Sequence, residues 1–318
     1  MKKEFWEFLA HHLADGTPAA LLAVVESHGA SPGKAGFAMA ITARGDRIGT
    51  IGGGIMEVQW VERAIAVARD RHARPLVKRV FHSPDTQFEP SGLICSGWQT
   101  ILLKRLEPDA ASAAKAICTA YDEHRSGLLR VSPSEFSFDP QRRGKHDVSF
   151  VWGGEQTWTL EQNVGVLDTV YVVGSGHVGL ALTRILSTLD MRVVTFDDRE
   201  GVDTFVRNSF ADQKICCAFG DIGTWIAGNE REYVAVVTAG YKSDEAALRA
   251  LVNKHVRYIG LMGSAAKTRQ IFDDLRSEGI EEEFLRRIHT PIGLPIASHT
   301  PAEIAVSITA EIIKIKNS

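Results

Sequence analysis

The chain has 318 residues, 44% of them hydrophobic and 24% charged, which is the composition of an ordinary globular protein. At about 150 residues per domain, this length predicts two domains that bury their cores without disulfides. The formal net charge of -3 argues against nucleic-acid binding through a broad basic surface. The sequence also contains no apolar run of the roughly 18 residues that a membrane-spanning helix needs.

Cysteine and histidine usage predicts neither a disulfide framework nor a structural zinc site. The four cysteines, Cys95, Cys118, Cys216 and Cys217, include no CxxC pair, and the histidines form no cluster with them. Cys118 in an alanine-rich helix, and the adjacent Cys216 and Cys217 in a strand, are predicted to be core residues. The first residues lack the apolar stretch of a signal peptide. These features predict a reduced, cytoplasmic protein.

The first half of the chain is predicted to be an α/β domain that spans residues 1–165. Apolar residues at helical spacing indicate a first helix, and a continuous apolar run then indicates a buried strand. A glycine-rich junction leads from a hairpin into a second helix. The predicted helices cover 3–14, the segment after residue 54, and 110–124; the predicted strands cover 19–25, 37–43, 47–51, 76–81, 99–106 and short stretches of 127–160.

The second half, residues 166–318, alternates strands and helices. This alternation predicts a Rossmann-like, doubly wound parallel sheet with helices on both faces. The last helix has a clear start, with Thr300 as N-cap and Glu303 at the capping-box position. The predicted strands cover 169–173, 192–196, 214–218, 233–238 and 258–261, and the predicted helices cover 177–189, 244–254, 265–278 and 301–315.

The motif GSGHVG at residues 174–179 is the strongest local signal of a binding site. It follows a valine-rich strand and opens a helix, which is the context that the dinucleotide fingerprint requires. Gly174 permits the tight turn, Gly176 lets a phosphate approach the backbone, and Gly179 lets helix and strand pack closely. The motif therefore predicts a nucleotide site, and the alternative is a Rossmann-like domain that has lost this function.

Polar residues near this motif could complete a nucleotide site. Asp197 and Asp198 follow the second predicted strand, where a carboxylate can accept from a ribose hydroxyl and repel a 2′-phosphate. His177, in the first helical turn, either donates to a ligand as a neutral imidazole or only shields the loop. Lys267 and Arg269, beyond a later strand, could reach an anion or be solvated surface residues.

A second glycine-rich junction, formed by Gly52, Gly53 and Gly54, precedes the second helix. Consecutive glycines can present bare N–H groups to an anion, and the loop 31–34 adds a lysine nearby. The alternative is a tight turn required by packing. Cys95 lies in a small-residue loop and is either a sulfur ligand or nucleophile or a packing residue.

Taken together, these residues resemble the xanthine dehydrogenase accessory protein family (XdhC/CoxI) over nearly the whole chain. The resemblance is densest in the segments after residue 173, and Gly52–Gly54 and residues 92–97 match more loosely. The matching segments are 173–179, 196–199, 258–264, 289–296 and 300–305.

The resemblance implies a cytoplasmic factor that binds the molybdenum cofactor, as molybdopterin or its dinucleotide, and protects it during sulfuration by a cysteine desulfurase. Such a factor passes the cofactor to an apo molybdenum hydroxylase of the xanthine dehydrogenase type and often works as a homodimer. By this resemblance Gly174, Gly176 and Gly179 hold a phosphate, Asp197 or Asp198 a ribose, and Cys95 lies near the molybdenum or its sulfur. The protein would then be a cofactor-binding chaperone more than a catalyst.

Two departures from the family pattern keep other functions open. Gly54 stands where family members commonly have a cysteine, which leaves Cys95 as the candidate thiol of this region. In addition, residues 238–241 read TAGY in place of a more usual TRGH, so a charge is missing from the ligand edge. The alternatives are an NAD-dependent oxidoreductase that uses the same glycine loop, and an interaction scaffold with a vestigial nucleotide site.

Overall fold

The computed structural model describes residues 1–82 and 97–318. The chain divides into two compact units, Met1–Val166 and Leu167–Ser318. Both units combine helices with sheets, and the sheet of the second unit is entirely parallel. The predicted fold class, an N-terminal α/β region followed by a Rossmann-like parallel sheet, is thus confirmed.

The first unit contains two antiparallel sheets and three helices among its described residues. The larger sheet has the strand order β3-β2-β1-β5-β4, and the smaller one has the order β7-β6-β9-β8. Its elements are α1 (Lys3–Ala14), β1 (Ala19–His28), β2 (Ala38–Thr42), β3 (Arg47–Gly49), α2 (Gly54–Arg69), β4 (Leu76–Phe81), β5 (Trp98–Leu106), α3 (Ala110–Asp122), β6 (Ser126–Val131), β7 (Phe136–Asp139), β8 (Val148–Trp152) and β9 (Trp158–Gly165).

Strand β1 is buried on both faces, which explains its unbroken apolar sequence. Leu21 and Ala23 belong to the core that includes α1 and α3, whereas Leu22 and Val24 belong to the core that includes α2. In a strand, successive side chains point to opposite faces. One central strand therefore anchors both hydrophobic cores of the unit.

The second unit is a six-stranded parallel sheet with the order β12-β11-β10-β13-β14-β15. Numbered from the start of the unit, this order is 3-2-1-4-5-6, the arrangement of dinucleotide-binding Rossmann folds. Its elements are β10 (Asp168–Val173), α4 (His177–Leu186), β11 (Met191–Asp197), α5 (Asp203–Val206), β12 (Gln213–Cys216), a 3₁₀ helix (Phe219–Thr224), β13 (Glu232–Val236), α6 (Tyr241–Ala250), β14 (Tyr258–Leu261), α7 (Ala265–Ser277), α8 (Glu282–Arg286), β15 (Ile288–His289) and α9 (Pro301–Lys316).

Helices cover both faces of this sheet. Val170 and Val172 of β10 pack in the core that contains α4 and α9, and Tyr171 and Val173 pack in the core that contains α6 and α7. The capping box that the sequence predicts for α9 is present. Because strand order reverses between β10 and β13, the loops after these two strands diverge to opposite faces and leave a crevice between them.

Candidate functional site

A cavity of about 390 Å³ lies in the second unit at the carboxyl ends of β10 and β13. In parallel α/β sheets, ligands bind at this reversal of strand order. The cavity is lined by Gly174, Gly176, His177, Val178, Asp198, Arg199, Phe219, Val237, Thr238, Ala239, Gly240, Ser243 and Met262. Several residues that the sequence predicts for a nucleotide site are therefore brought together here.

The three glycines of the motif 174–179 have different surroundings. Gly174 has a φ of +102°, and a Cβ on it would lie 2.8 Å from the backbone nitrogen of Thr238. A Cβ on Gly179 would lie 2.0 Å from the carbonyl oxygen of Gly174. A Cβ on Gly176, by contrast, would meet no atom within 4 Å. Two glycines thus serve packing, and the middle one leaves open space where a ligand phosphate can reach the backbone.

Two helices begin at this cavity. Gly176 is the N-cap of α4 and Gly240 is the N-cap of α6, and neither supplies a side-chain cap. The first helical hydrogen bonds are donated by Leu180 to Gly176 and by Asp244 to Gly240, so the N–H groups of residues 177–179 and 241–243 have no acceptor within their helices. Free N–H groups and the positive end of the helix dipole attract anions.

Asp197, at the end of the neighbouring strand β11, fixes the glycine loop 174–179 by hydrogen bonds. Its side chain is fully buried, and one carboxylate oxygen accepts from the Ser175 amide at 2.9 Å and from the Ser175 hydroxyl at 2.6 Å. Arg199 donates to the same carboxylate from its amide and its guanidinium, at 3.0 to 3.2 Å. Burial alone raises the pKa of Asp197, but the hydrogen bonds from Arg199 and Ser175 outweigh burial and lower it.

Asp198 is the carboxylate that lines the cavity. Its side chain is 41% exposed, and the Arg199 Nε lies 3.5 Å from one of its carboxylate oxygens. The sequence could not choose between Asp197 and Asp198 as ribose ligands. Since the Asp197 carboxylate is already used within the protein, we assign the ribose interaction to Asp198 as a proposal. His177 lines the same cavity, and its two predicted roles, a donor to the ligand or a shield of the loop, stay predictions.

The wall opposite the glycine loop is held by a buried ion pair. Asp244 is fully buried, accepts a hydrogen bond from the Thr238 hydroxyl, and pairs with Lys267. Burial is the main cause that raises the pKa of Asp244. The sequence places the start of this helix at Asp244, but the structure places it three residues earlier, so Asp244 fixes the cavity wall from inside the helix. Arg269 is exposed.

The glycine junction of the first unit contains its own anion. The Glu57 carboxylate of α2 accepts from the Thr50 hydroxyl at 2.6 Å and from the amides of Ile51 and Gly53 at 2.9 Å each. These hydrogen bonds outweigh the opposing effect of burial and lower the pKa of Glu57. Binding of an external anion to Gly52, Gly53 and Gly54 remains a prediction, and it would require Glu57 to leave this position.

The loop 31–34 packs directly against the same junction. A Cβ on Gly33 would lie 2.2 Å from the Ile51 carbonyl oxygen, and the buried Gln99 side chain links the Gly33 amide to that carbonyl at 3.0 Å each. The Lys34 ammonium donates to the Gly29 carbonyl at 2.9 Å. Close packing thus explains part of this glycine pattern, as the packing alternative predicts.

The cysteines whose positions the structure describes differ in burial. Cys95 lies outside the described residues, so its predicted role stays a prediction. Cys118 and Cys217 are partly buried, whereas Cys216 is exposed, so the prediction of a core position is wrong for Cys216. Its strand, β12, lies at the edge of the parallel sheet. Every second side chain of this edge strand points toward solvent.

Sequence reasoning placed residues 238–241 at the ligand edge, and the cavity lining includes Thr238, Ala239 and Gly240 of that stretch, but it did not single out Phe219. Gly240 carried a usable signal, because it follows a strand and precedes a helix just as Gly176 does. Phe219 carried none, since its position depends on where the 3₁₀ helix after β12 packs.

The strand order and the cavity at its reversal define a protein with a Rossmann-type domain. The family profile described as the XdhC Rossmann domain matches residues 170–312, and that of the XdhC and CoxI family matches residues 12–80. The chain belongs to the XdhC and CoxI family. Among residues 1–82 and 97–318, none of its helices has the length and apolarity that crossing a bilayer takes.

Two curated relatives and one solved structure resemble the chain over nearly all of its length. The chain is 24% identical over 302 residues to the uncharacterized protein YqeB of Escherichia coli K12, covering 95% of this chain but 44% of YqeB. It is 22% identical to a probable xanthine dehydrogenase subunit from Bacillus subtilis, covering 96% of this chain and 95% of that protein. A crystal structure described as a xanthine dehydrogenase from Bacillus halodurans is 20% identical, with a TM-score of 0.76 and coverage of 100% and 96%, and shows the same fold.

Proposed function

We propose that the protein binds the molybdenum cofactor, as molybdopterin or its dinucleotide, and delivers it to a molybdenum hydroxylase of the xanthine dehydrogenase type. Membership of the XdhC and CoxI family and the relatives related to xanthine dehydrogenase support a role in the maturation of such an enzyme. Binding, protection and delivery of the cofactor are our proposal for how this role is carried out.

The open space at Gly176 is the single observation that carries the proposal. The cavity there fits the phosphorylated part of the cofactor, because uncapped N–H groups of α4 can hold a phosphate without a lysine. Asp198 at the same cavity can accept from a ribose hydroxyl of a nucleotide form. The chain contributes binding and orientation, and the cofactor is its cargo.

The hydrogen bonds of two buried carboxylates behind the cavity support rigid binding of a ligand. Asp197 fixes Ser175, and Asp244 fixes Thr238, so both loops that line the crevice are held by buried carboxylates. A site held rigidly on strand ends loses little conformational freedom when the ligand binds. This arrangement supports retention of a ligand more directly than it supports turnover.

Protection of the cofactor during sulfuration requires further partners. We propose that a cysteine desulfurase supplies the sulfur, that the chain acts as a homodimer, and that Cys95 contacts the molybdenum or its sulfur. Gly54 in place of the family cysteine leaves Cys95 as the candidate thiol of that region.

Mass spectrometry of the protein purified from a molybdenum-replete host tests the proposal. We expect molybdopterin or its dinucleotide to co-purify with the wild-type chain and to be lost from Gly176→Val, which places a side chain in the open space and whose Cβ would meet no atom within 4 Å. The matched control is Gly201→Val, at a second glycine with no atom near its Cβ position and outside the cavity lining. If the wild-type chain shows no saturable binding of either cofactor form, the proposal fails.

An NAD-dependent oxidoreductase is the second candidate, and the 3-2-1-4-5-6 strand order favours it because that order is typical of dinucleotide-binding domains. Saturable NAD binding together with reduction of NAD by a substrate would replace the delivery function with this one.

A further inference from the structure

Strand β8 forms one edge of the smaller sheet in the first unit and pairs with β9 on one side. Val148 and Phe150 pack against the core that includes α1 and α3, whereas Val151 and Trp152 are 65% and 50% exposed. The sequence of the strand, VSFVW, contains no charged residue and no proline. An exposed hydrophobic edge strand of this kind is a template for pairing with another strand.

The other edge strands among the described residues have features that discourage such pairing. The edges of the three sheets are β3, β4, β7, β8, β12 and β15. Strand β15 has only two residues. Strands β3, β4, β7 and β12 each include at least one charged side chain, and these are Arg47, Lys78, Arg79, Asp139 and Lys214. Strand β8 differs from all of them, because neither charge nor extreme shortness protects its edge.

The hydrogen bonds between β8 and β9 determine which backbone groups of β8 face outward. The Asn163 amide donates to the Asp147 carbonyl at 2.9 Å, and the Gly153 amide donates to the Thr157 carbonyl at 2.7 Å. Bonded and non-bonded positions alternate along an antiparallel pair, so positions 149 and 151 also bond β9. The residues between them point their N–H and C=O groups away from β9. These residues are Val148, Phe150 and Trp152.

We propose that β8 pairs antiparallel with β8 of a second copy of this chain, around a two-fold axis at Phe150. The inference rests on the homodimer that the proposed function includes, and it adds the surface that forms this dimer. A two-fold interface joins the same patch of both copies. In this register Phe150 lies opposite the partner's Phe150, and Val148 lies opposite the partner's Trp152. All three outward-facing residues then exchange hydrogen bonds with the partner strand, which extends the sheet across both copies.

The residues in and around β8 are complementary to themselves in this register. Lys145 lies three residues before Val148, Glu155 lies three residues after Trp152, and both charged side chains are exposed. The register places positions at equal distance from Phe150 opposite each other, so Lys145 lies toward the partner's Glu155 at both ends of the interface. An aromatic residue opposite a β-branched one, as Trp152 is to the partner's Val148, is a favourable cross-strand pair. Hydrogen bonding, charge and apolar contact therefore all favour a second copy as the occupant of this edge.

Sedimentation velocity of the full chain at several concentrations tests the interface through charge reversal. We expect the wild-type chain to form a dimer. Lys145→Glu or Glu155→Lys alone brings like charges together at both ends of the interface, so each should raise the dimer dissociation constant by at least about 5-fold. The combination of the two substitutions restores opposite charges and should recover most of the affinity. The control is Glu62→Lys, at an exposed position of α2, which should leave the dissociation constant unchanged.

Disulfide cross-linking tests the register of the two strands. Ser149 lies opposite the partner's Val151 in a non-hydrogen-bonded pair, whose Cα atoms are about 4.5 Å apart and within the range that a disulfide accepts. An oxidised equal mixture of Ser149→Cys and Val151→Cys chains should therefore form a covalent dimer. Either variant oxidised alone should form little, because each position lies about 7–8 Å from its own copy across the axis. The wild-type chain is the control for cross-links through the native cysteines.

The outcomes separate this interface from the proposed function. A dimer that charge reversal leaves unchanged and that the mixed cysteine variants do not cross-link would overturn pairing through β8 and leave the homodimer intact. A wild-type chain that stays monomeric at every concentration would overturn both the interface and the homodimer. Dimerisation through β8 in a chain that binds neither molybdopterin nor its cytidine dinucleotide in a titration would support the interface and overturn cofactor delivery.

Discussion

The Asp197 carboxylate accepts hydrogen bonds from both the amide and the hydroxyl of Ser175, at 2.9 and 2.6 Å. Ser175 lies between the first two glycines of the loop, so the last residue of β11 fixes the loop that follows β10. A carboxylate that sequence reasoning offers as a ribose ligand therefore positions the phosphate-binding backbone instead. The neighbouring Asp198 lines the cavity and can face the ligand.

Asp197→Asn should lower the free energy of unfolding by about 1.5–3 kcal/mol, the usual contribution of hydrogen bonds to a buried charged group. The folded-state pKa of Asp197 is lowered, so its stabilisation is present above the unfolded pKa of about 3.9 and is lost as pH falls through the lower folded value. Urea unfolding between neutral and acid pH measures this. The wild-type advantage over Asp197→Asn should shrink in acid, and a constant difference would contradict the assignment.

Gly179→Ala and Gly176→Ala should separate stability from binding. The added methyl at position 179 would collide with the Gly174 carbonyl, and overpacking of this kind costs about 1–3 kcal/mol. The methyl at position 176 meets open space and should leave the melting temperature nearly unchanged while weakening nucleotide binding. Thermal melts and titration with CDP-glycerol test both. Equal destabilisation by the two variants would show that position 176 is not open.

The Rossmann-like half of the fold can be predicted because strong local signals agree there. Buried parallel strands read as valine-rich runs, and the loop 174–179 carries its conformational requirement in its glycines. The choice between Asp197 and Asp198 cannot be made from the sequence, because it depends on which way each side chain points where β11 ends. That direction is set by packing across the sheet, which a local pattern does not encode.

Other differences between prediction and structure have the same origin in long-range structure. The sequence pattern predicts a core position for Cys216, but the position of β12 at the sheet edge exposes it, and strand order is a property of the whole domain. The Ile51 and Gly53 amides donate hydrogen bonds to the Glu57 carboxylate, which depends on the rotamer of the Glu57 side chain in the first turns of α2. The glycines alone are compatible with either an external anion or this internal one.

Glu57→Gln should destabilise the first unit by about 1 kcal/mol, because it removes the charge that caps the glycine junction and the α2 N-terminus. The folded pKa of Glu57 is lowered, so the wild-type advantage exists above the unfolded pKa of about 4.3 and disappears as pH falls through the folded value. Glu62→Gln, at an exposed position of the same helix, is the matched control. Chemical denaturation from pH 7 to acid checks this, and an equal effect of the two substitutions would contradict it.

Asp198→Ala should weaken binding of ribonucleotides selectively. A carboxylate that accepts from a ribose hydroxyl contributes about 1.5–3 kcal/mol, which corresponds to a loss of roughly 10- to 150-fold in affinity. The variant should bind the 2′,3′-dideoxy analogue of CDP-glycerol as the wild-type chain does, because that analogue offers no hydroxyl to lose. Asp203→Ala, at an exposed acid outside the cavity lining, is the control for a general change in charge. If Asp198→Ala lowered the affinity for the ribose and dideoxy probes equally, the carboxylate would be acting through charge and not through the sugar, and the site would have to hold its ribose elsewhere along the β11 edge.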